Sequence, residues 1–240
     1  MGPVELSVVV PAFNEASRIQ SSIEDLLKFL PRFTSQFEIL IVDDGSQDDT
    51  SAIVERVSAI HRAVLLHQIP HRGKGAAVRA GMLRARGGRR FMCDADLSMH
   101  PSQIAGFMAV VPSECDIAIA TREAVGAERL DEPTYRHAMG RVFNRIVRAT
   151  LVSDIHDTQC GFKMFSSSAA ELLFSRGRID GWAFDVEALY IARLHNLRVH
   201  EVPISWRHEQ LSRISAVRDT FLMLRELGTI RRNAQAGLYD

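Results

Sequence analysis

Strand-like and helix-like segments alternate four times in the first hundred residues, and this rhythm restricts the fold more than any other feature. Residues 6–10 form a short run rich in β-branched side chains that stops at Pro11. Ile19, Ile23, Leu26, Leu27 and Leu30 then fall at helical spacing within 15–30. Residues 37–42 repeat the strand pattern and end in Asp43-Asp44-Gly45-Ser46, where Ser46 or Asp48 can cap a helix carrying Ile53, Val54, Val57 and Ile60. A third strand is expected over 63–67. Gly73-Lys74-Gly75 opens a helix over 76–86, and a fourth strand over 90–93 ends in Asp94-Ala95-Asp96. Strands joined by helices predict a mainly parallel α/β sheet with helices on both faces, because a parallel crossover must travel back along the sheet. Ligands of such sheets bind beyond the carboxyl ends of the strands.

Beyond Pro101 the pattern predicts a helix to about 111, a strand over 116–120, a polar Arg-rich segment over 122–136 and a long helix. A strand over 158–165, a helix over 182–194, a strand over 199–204 and a last helix over 214–232 follow. No repeat, low-complexity tract or linker divides the 240 residues, so a single domain is expected. Equal numbers of basic and acidic residues, 29 each, exclude a general electrostatic nucleic-acid binder. Cys93, Cys115 and Cys160 lack metal-ligand or disulfide-framework spacing, which fits a reducing cytosol. Neither a signal peptide nor a membrane-spanning apolar run stands out, so the expected place is the cytoplasm, with any membrane contact peripheral at its cytoplasmic face.

Acidic residues end three strands of the expected sheet: Glu15 after the first, Asp43 and Asp44 after the second, Asp94 and Asp96 after the fourth. Any one set could cap a helix. Together they violate what stability alone favours, as functional sites do. Asp94 and Asp96 repel unless a cation joins them, and a hard divalent ion such as Mg²⁺ or Mn²⁺ suits two carboxylates. A Rossmann fingerprint fails because Val78 stands where its third glycine is needed. A Walker loop fails because Gly75 follows Gly73-Lys74 where Ser or Thr is needed.

Pro11-Ala12-Phe13-Asn14-Glu15, Val42-Asp43-Asp44-Gly45-Ser46, the 73–79 segment that begins Gly73-Lys74-Gly75, and Asp94-Ala95-Asp96-Leu97-Ser98 together resemble the family 2 glycosyltransferases. The 157–165 segment, with Gly161-Phe162-Lys163, and the 182–187 segment, with Phe184-Asp185, resemble the dolichyl-phosphate or polyprenyl-phosphate β-glucosyltransferases among them. Residues 94–101 also resemble the dolichyl-phosphate mannose synthases, from whose pattern Ser98 departs where many carry Gln. The resemblance implies a GT-A fold in which 1–100 bind a nucleotide sugar, 101–212 shape the acceptor side and 213–235 form an amphipathic helix. It further implies a Mg²⁺- or Mn²⁺-dependent, inverting hexose transfer, with glucose from UDP-glucose going to a polyprenyl or dolichyl phosphate. Carried over, Pro11, Glu15, Asp43 and Asp44 surround the base and ribose, while Asp94 and Asp96 hold the metal. Transfer from GDP-mannose, a hydroxyl acceptor and a non-catalytic nucleotide-binding module remain open alternatives.

Lys74, beside flexible glycines, can assist the leaving diphosphate or simply begin a helix. Arg122 and Arg136 are candidates for the acceptor phosphate, because guanidinium groups bind phosphate oxygens in a fork. Arg141, Arg145 and Arg148 read as a solvated helix face. Asp157 is the candidate base if the acceptor is a hydroxyl. In the last helix Ile214, Val217, Phe221, Leu224 and Leu227 make an apolar stripe flanked by arginines. It either packs on the domain or lies on an anionic membrane surface, with a membrane partner protein as the other route to a lipid acceptor.

Overall fold

The computed structural model describes residues 3–130, 134–207 and 216–240, with side chains at 3–128, 140–206 and 221–240. In chain order the elements are β1 (Leu6–Ala12), α1 (Ile19–Phe29), β2 (Phe37–Asp43), α2 (Thr50–Ile60), β3 (Val64–Gln68), α3 (Lys74–Arg84), β4 (Arg89–Met92) and α4 (Gln103–Val110). They continue with β5 (Ile117–Thr121), β6 (Glu128–Leu130), α5 (Thr134–Thr150), β7 (Lys163–Ser166), α6 (Ser167–Arg176), α7 (Phe184–Leu194), β8 (Val199–Pro203), β9 (Ser205–Arg207) and α8 (Ala216–Gln235).

Every residue of β1 is buried, as expected for a parallel strand covered on both faces. Among the described residues the main sheet has seven strands in the order β3-β2-β1-β4-β7-β5-β8. Only β7 runs against its neighbours, pairing antiparallel with both β4 and β5. Alternate residues face opposite layers, so Val9, Leu40, Met92 and Ile119 join one core beneath α3 and α5–α8. Val8, Val10, Ile39 and Phe91 join the other, beneath α1, α2 and α4. The register sets Ala12 beside Asp43 and Val9 beside Met92. The acidic turns after β1, β2 and β4 therefore lie on one edge, which the end of β5 shares. β6 and β9 make a separate parallel pair there, a feature the sequence pattern did not predict.

Four segments differ from expectation. Helix α1 starts at Ile19 rather than near 15, because Asn14, Glu15 and Ala16 give their backbone N–H groups to Ser46, Thr50 and Asp48. The strand expected over 158–165 begins only at Lys163, and residues 157–162 instead turn across the end of β4. Helix α6 was missed, although Ser166 caps it by accepting from Ala169 N at 3.1 Å. On α8 the packing face is Met223, Leu227 and Ile230, whereas Phe221 and Leu224 of the expected stripe are exposed. Ile214 lies outside the described residues, as does the side chain of Val217.

Candidate active site

The site is built on the 11–15, 43–46 and 71–75 turns, which hold one another through side-chain to backbone hydrogen bonds. Asp43 is buried at the end of β2 and accepts from Ser46 N at 3.0 Å and from the hydroxyls of Ser46 and Ser51. Asp44, also buried, accepts from Arg72 N at 2.9 Å, Gly73 N at 2.8 Å and His71 Nδ1 at 2.8 Å. Pro11 closes the buried end of β1, and Glu15 pairs with Arg18 at 2.7 Å. His71 stacks on Phe13 with ring centroids 4.1 Å apart, joining the rims of the first and third turns. Asp43 and Asp44 thus bond these loops to the end of the sheet from beneath.

Gly73 has φ +126°, and any side chain there would collide with the carbonyl of Asp180. That close approach seats the start of α3 on the 179–181 turn, where Asp180 also binds Arg72 and Arg79. Lys74, at the first position of α3, then reaches across to Asp94, its Nζ 2.5 Å from Oδ1. Burial alone would lower the Lys74 pKa, but Asp94, Asp185 and Asp96 outweigh it and hold the ammonium above its ordinary value. The carboxylates of Asp94 and Asp96 follow β4 in a tight turn, in which Leu97 has φ +47° and Ser98 N donates to Asp96 at 3.0 Å.

Two site residues carried motifs in the sequence yet received no role there. Lys163, 1% exposed at the start of β7, donates to Asp185 at 2.6 Å and to the carbonyl of Cys160 at 2.7 Å. Burial raises the Asp185 carboxyl above its ordinary value, against the pull of Lys163 and Lys74. Burial likewise pushes the Cys160 thiol up to about 11, so it is no nucleophile at neutral pH.

Arg122 follows β5 and forms a two-pronged pair with Asp157, Nε to Oδ2 at 2.7 Å and Nη2 to Oδ1 at 3.0 Å. Its backbone N–H also donates to Asp157, and the guanidinium carbon lies 5.1 Å from the Trp206 ring centre. Asp157, the candidate base for a hydroxyl acceptor, is engaged by Arg122 on both carboxylate oxygens. The residue is 1% exposed, and the Arg122 interactions overcome the opposing effect of burial to hold its carboxyl at about 2. Asp157 is thus a buried, ionised partner of the Arg122 guanidinium. Arg136 lies on α5 with its side chain outside the described residues. Arg141, Arg145 and Arg148 are exposed, as a solvated face requires.

The glycosyl transferase family 2 model matches residues 7–174. The chain belongs to the family 2 glycosyltransferases. Within that family it is 35% identical to the dolichyl-phosphate β-glucosyltransferase of Drosophila melanogaster, over 93% of this chain and 73% of that one. A Trichomonas vaginalis protein of the same name is also 35% identical, over 85% of this chain, which spans 64% of that relative's length. The fold is shared with glucosyl-3-phosphoglycerate synthase from Mycobacterium tuberculosis, solved with Mn²⁺, UDP-glucose and phosphoglyceric acid. That likeness has a TM-score of 0.68 at 19% identity over 95% of this chain and 80% of that one. These neighbours are GT-A glycosyltransferases, so the GT-A expectation is met.

Proposed function

We propose that this family 2 glycosyltransferase inverts the anomeric carbon of UDP-glucose while moving glucose onto the phosphate of a dolichol or other polyprenol. The observation that carries the reading is a sheet edge with a carboxylate pair after β4 and, after β5, a guanidinium fixed in a fork. The first suits a donor diphosphate with its ion and the second an acceptor phosphate. The names of the relatives above support the same donor and acceptor.

Asp94 and Asp96 fit a divalent ion: both are hard oxygen donors, partly open to solvent. Among the described residues no cluster of three or more His, Cys, Asp or Glu side chains forms a complete metal cage. Two carboxylates completed by substrate phosphate and water are an ordinary set for Mg²⁺. Asp94 and Asp96 would hold Mg²⁺ or Mn²⁺, which when bound offsets the diphosphate charge and stabilises the departing UDP. Pro11, Glu15, Asp43 and Asp44 set the walls around base and ribose, and Lys74 meets the diphosphate. Arg122, oriented by Asp157, and Arg136 hold the acceptor phosphate, already ionised at pH 7 because its second pKa is near ~6. An oxygen of that phosphate attacks the anomeric carbon as the bond to UDP breaks and UDP leaves with the electron pair. The acceptor brings its own anionic nucleophile, so Asp157 is free to serve as an anchor.

Among the described residues no helix is long and apolar enough to cross a membrane. Phe221, 72% exposed, and Leu222 and Leu224 lie beside Arg225 on α8, and Val142 and Ile146 beside Arg141 and Arg145 on α5. These exposed apolar and basic side chains support contact with an anionic lipid surface. The test is transfer from labelled UDP-glucose and GDP-mannose to polyprenyl phosphate and to free polyprenol. Label is expected in lipid only with UDP-glucose and the phosphate. Equal use of the free alcohol, or preference for GDP-mannose, overturns the acceptor or donor assignment respectively.

A further inference from the structure

Asp94 already holds a cation. Its Oδ1 is covered by the Lys74 ammonium at 2.5 Å, and its Oδ2 occupies the place that any Gly161 side chain would need. One oxygen is therefore packed against the backbone and the other is claimed, so a second cation reaches Oδ1 only if Lys74 moves. Lys74 is able to move: its side chain is 19% exposed, and Asp96 and Asp185 face it as well as Asp94. The Trp182 ring, 5.4 Å from Nζ, lines its other side.

We propose that Lys74 is the resident counter-cation of the Asp94–Asp96 pair, which yields Asp94 to the divalent ion and transfers its ammonium to the donor diphosphate. The proposal rests on the reading of Asp94 and Asp96 as metal ligands. Without nucleotide, an incoming ion competes with a tethered ammonium at high effective concentration and is brought close to a like charge. With the diphosphate present, the same ammonium gains a new anionic partner, and the cost of displacing it falls. Lys74 thus couples the two ligands, and the coupling is reciprocal: each raises the affinity for the other by the same factor. It guards Asp94 against adventitious ions while offsetting part of the charge of two adjacent carboxylates.

Calorimetric titration of Mn²⁺, alone and with saturating UDP, tests this in the wild type and in Lys74→Met, Lys74→Gln, Lys74→Arg, Asp94→Asn and Asp96→Asn. Losing the ammonium is expected to tighten binding of Mn²⁺ alone about tenfold, a small part of the Coulomb energy between a unit and a double charge a few ångströms apart. Lys74→Met and Lys74→Gln should show this gain, together with a fall of about tenfold in the Mn²⁺–UDP coupling factor. Lys74→Arg keeps the charge and should bind Mn²⁺ alone no tighter than the wild type, its fork holding Asp94 at least as firmly as the ammonium does, and melting curves check that each variant is folded. Mn²⁺ bound no tighter by folded Lys74→Met and Lys74→Gln than by the wild type would overturn the exchange, provided that the two Asn variants lose Mn²⁺. Asn variants that bind Mn²⁺ as the wild type does would instead overturn the metal site itself.

Discussion

Replacing Asp157 by Asn keeps the size of the side chain and removes the charge that orients Arg122. Asp157 has its carboxyl at about 2 in the folded protein against an ordinary 3.8. That difference is worth about 2 kcal/mol of stability. The folded pKa is the depressed one, so this stability is fully present above the ordinary value and is lost as the pH falls from about 4 towards 2. At pH 7 the variant should therefore be at least about 2 kcal/mol less stable, a melting temperature lower by about 4–8 °C for a chain of this length. The loss can exceed this, because the half-buried guanidinium loses the carboxylate that it forks onto. Urea unfolding of both proteins from pH 7 down to pH 2.5 measures the gap. It should narrow in acid, where Asp157 is protonated and the pair is lost in the wild type as well. Equal stability at pH 7, or a gap independent of pH, would refute the assignment of Asp157 as a charged anchor. The same variant should bind UDP normally and raise the KM for polyprenyl phosphate, since only Arg122 is released.

Asp96→Ala should keep the fold and lower kcat by at least about 10²-fold, comparable to losing one preorganised electrostatic stabiliser; retained activity in excess EDTA would contradict the metal assignment. Gly161→Ala puts a methyl group where Asp94 Oδ2 lies, so Mn²⁺ affinity and turnover should fall together while the melting temperature changes little; unchanged Mn²⁺ binding would show that Asp94 does not need this seat. Arg122→Lys exchanges a planar fork for a point charge and should weaken acceptor use while leaving UDP binding intact, a split visible in the two KM values. UDP with Mn²⁺ should raise the melting temperature more than GDP with Mn²⁺, since a ligand stabilises in proportion to its binding.

The parallel half of the sheet was legible because each of its strands is a short apolar run bounded by its own turn residues. Buried on both faces, β1 and β2 carry no alternation that could be mistaken for an exposed sheet. What is not local was harder to read. The antiparallel β7 depends on residues 157–162 turning across the end of β4, and nothing in the apolar run around Phe162 marks where extension gives way to turn. The packing face of α8 was left open by the sequence for a related reason. Phe221 and Leu224 are as apolar as Met223 and Leu227, and periodicity alone does not say which stripe meets the domain.

The same limit divides the site. The acidic turns after β1, β2 and β4 were visible because strand ends collect functional groups, but the pairs Lys74–Asp94, Lys163–Asp185 and Arg122–Asp157 join positions that no spacing rule connects. One signal did point to two of them. Only three of the 29 basic residues are lysines, and while Lys28 is exposed, Lys74 and Lys163 both sit in ion pairs at the site. A chain that uses arginine almost everywhere keeps lysine where a guanidinium would not fit. Lys163, 1% exposed, finds a carboxylate oxygen and a carbonyl oxygen at 2.6 and 2.7 Å, enough for a compact ammonium but not for five donors in a rigid fork. At position 74 a flexible stem ending in a point charge can leave one anion for another, whereas a fork matched to Asp94 would hold it. The scarcity of lysine thus marks the two positions where the shape of the cation matters.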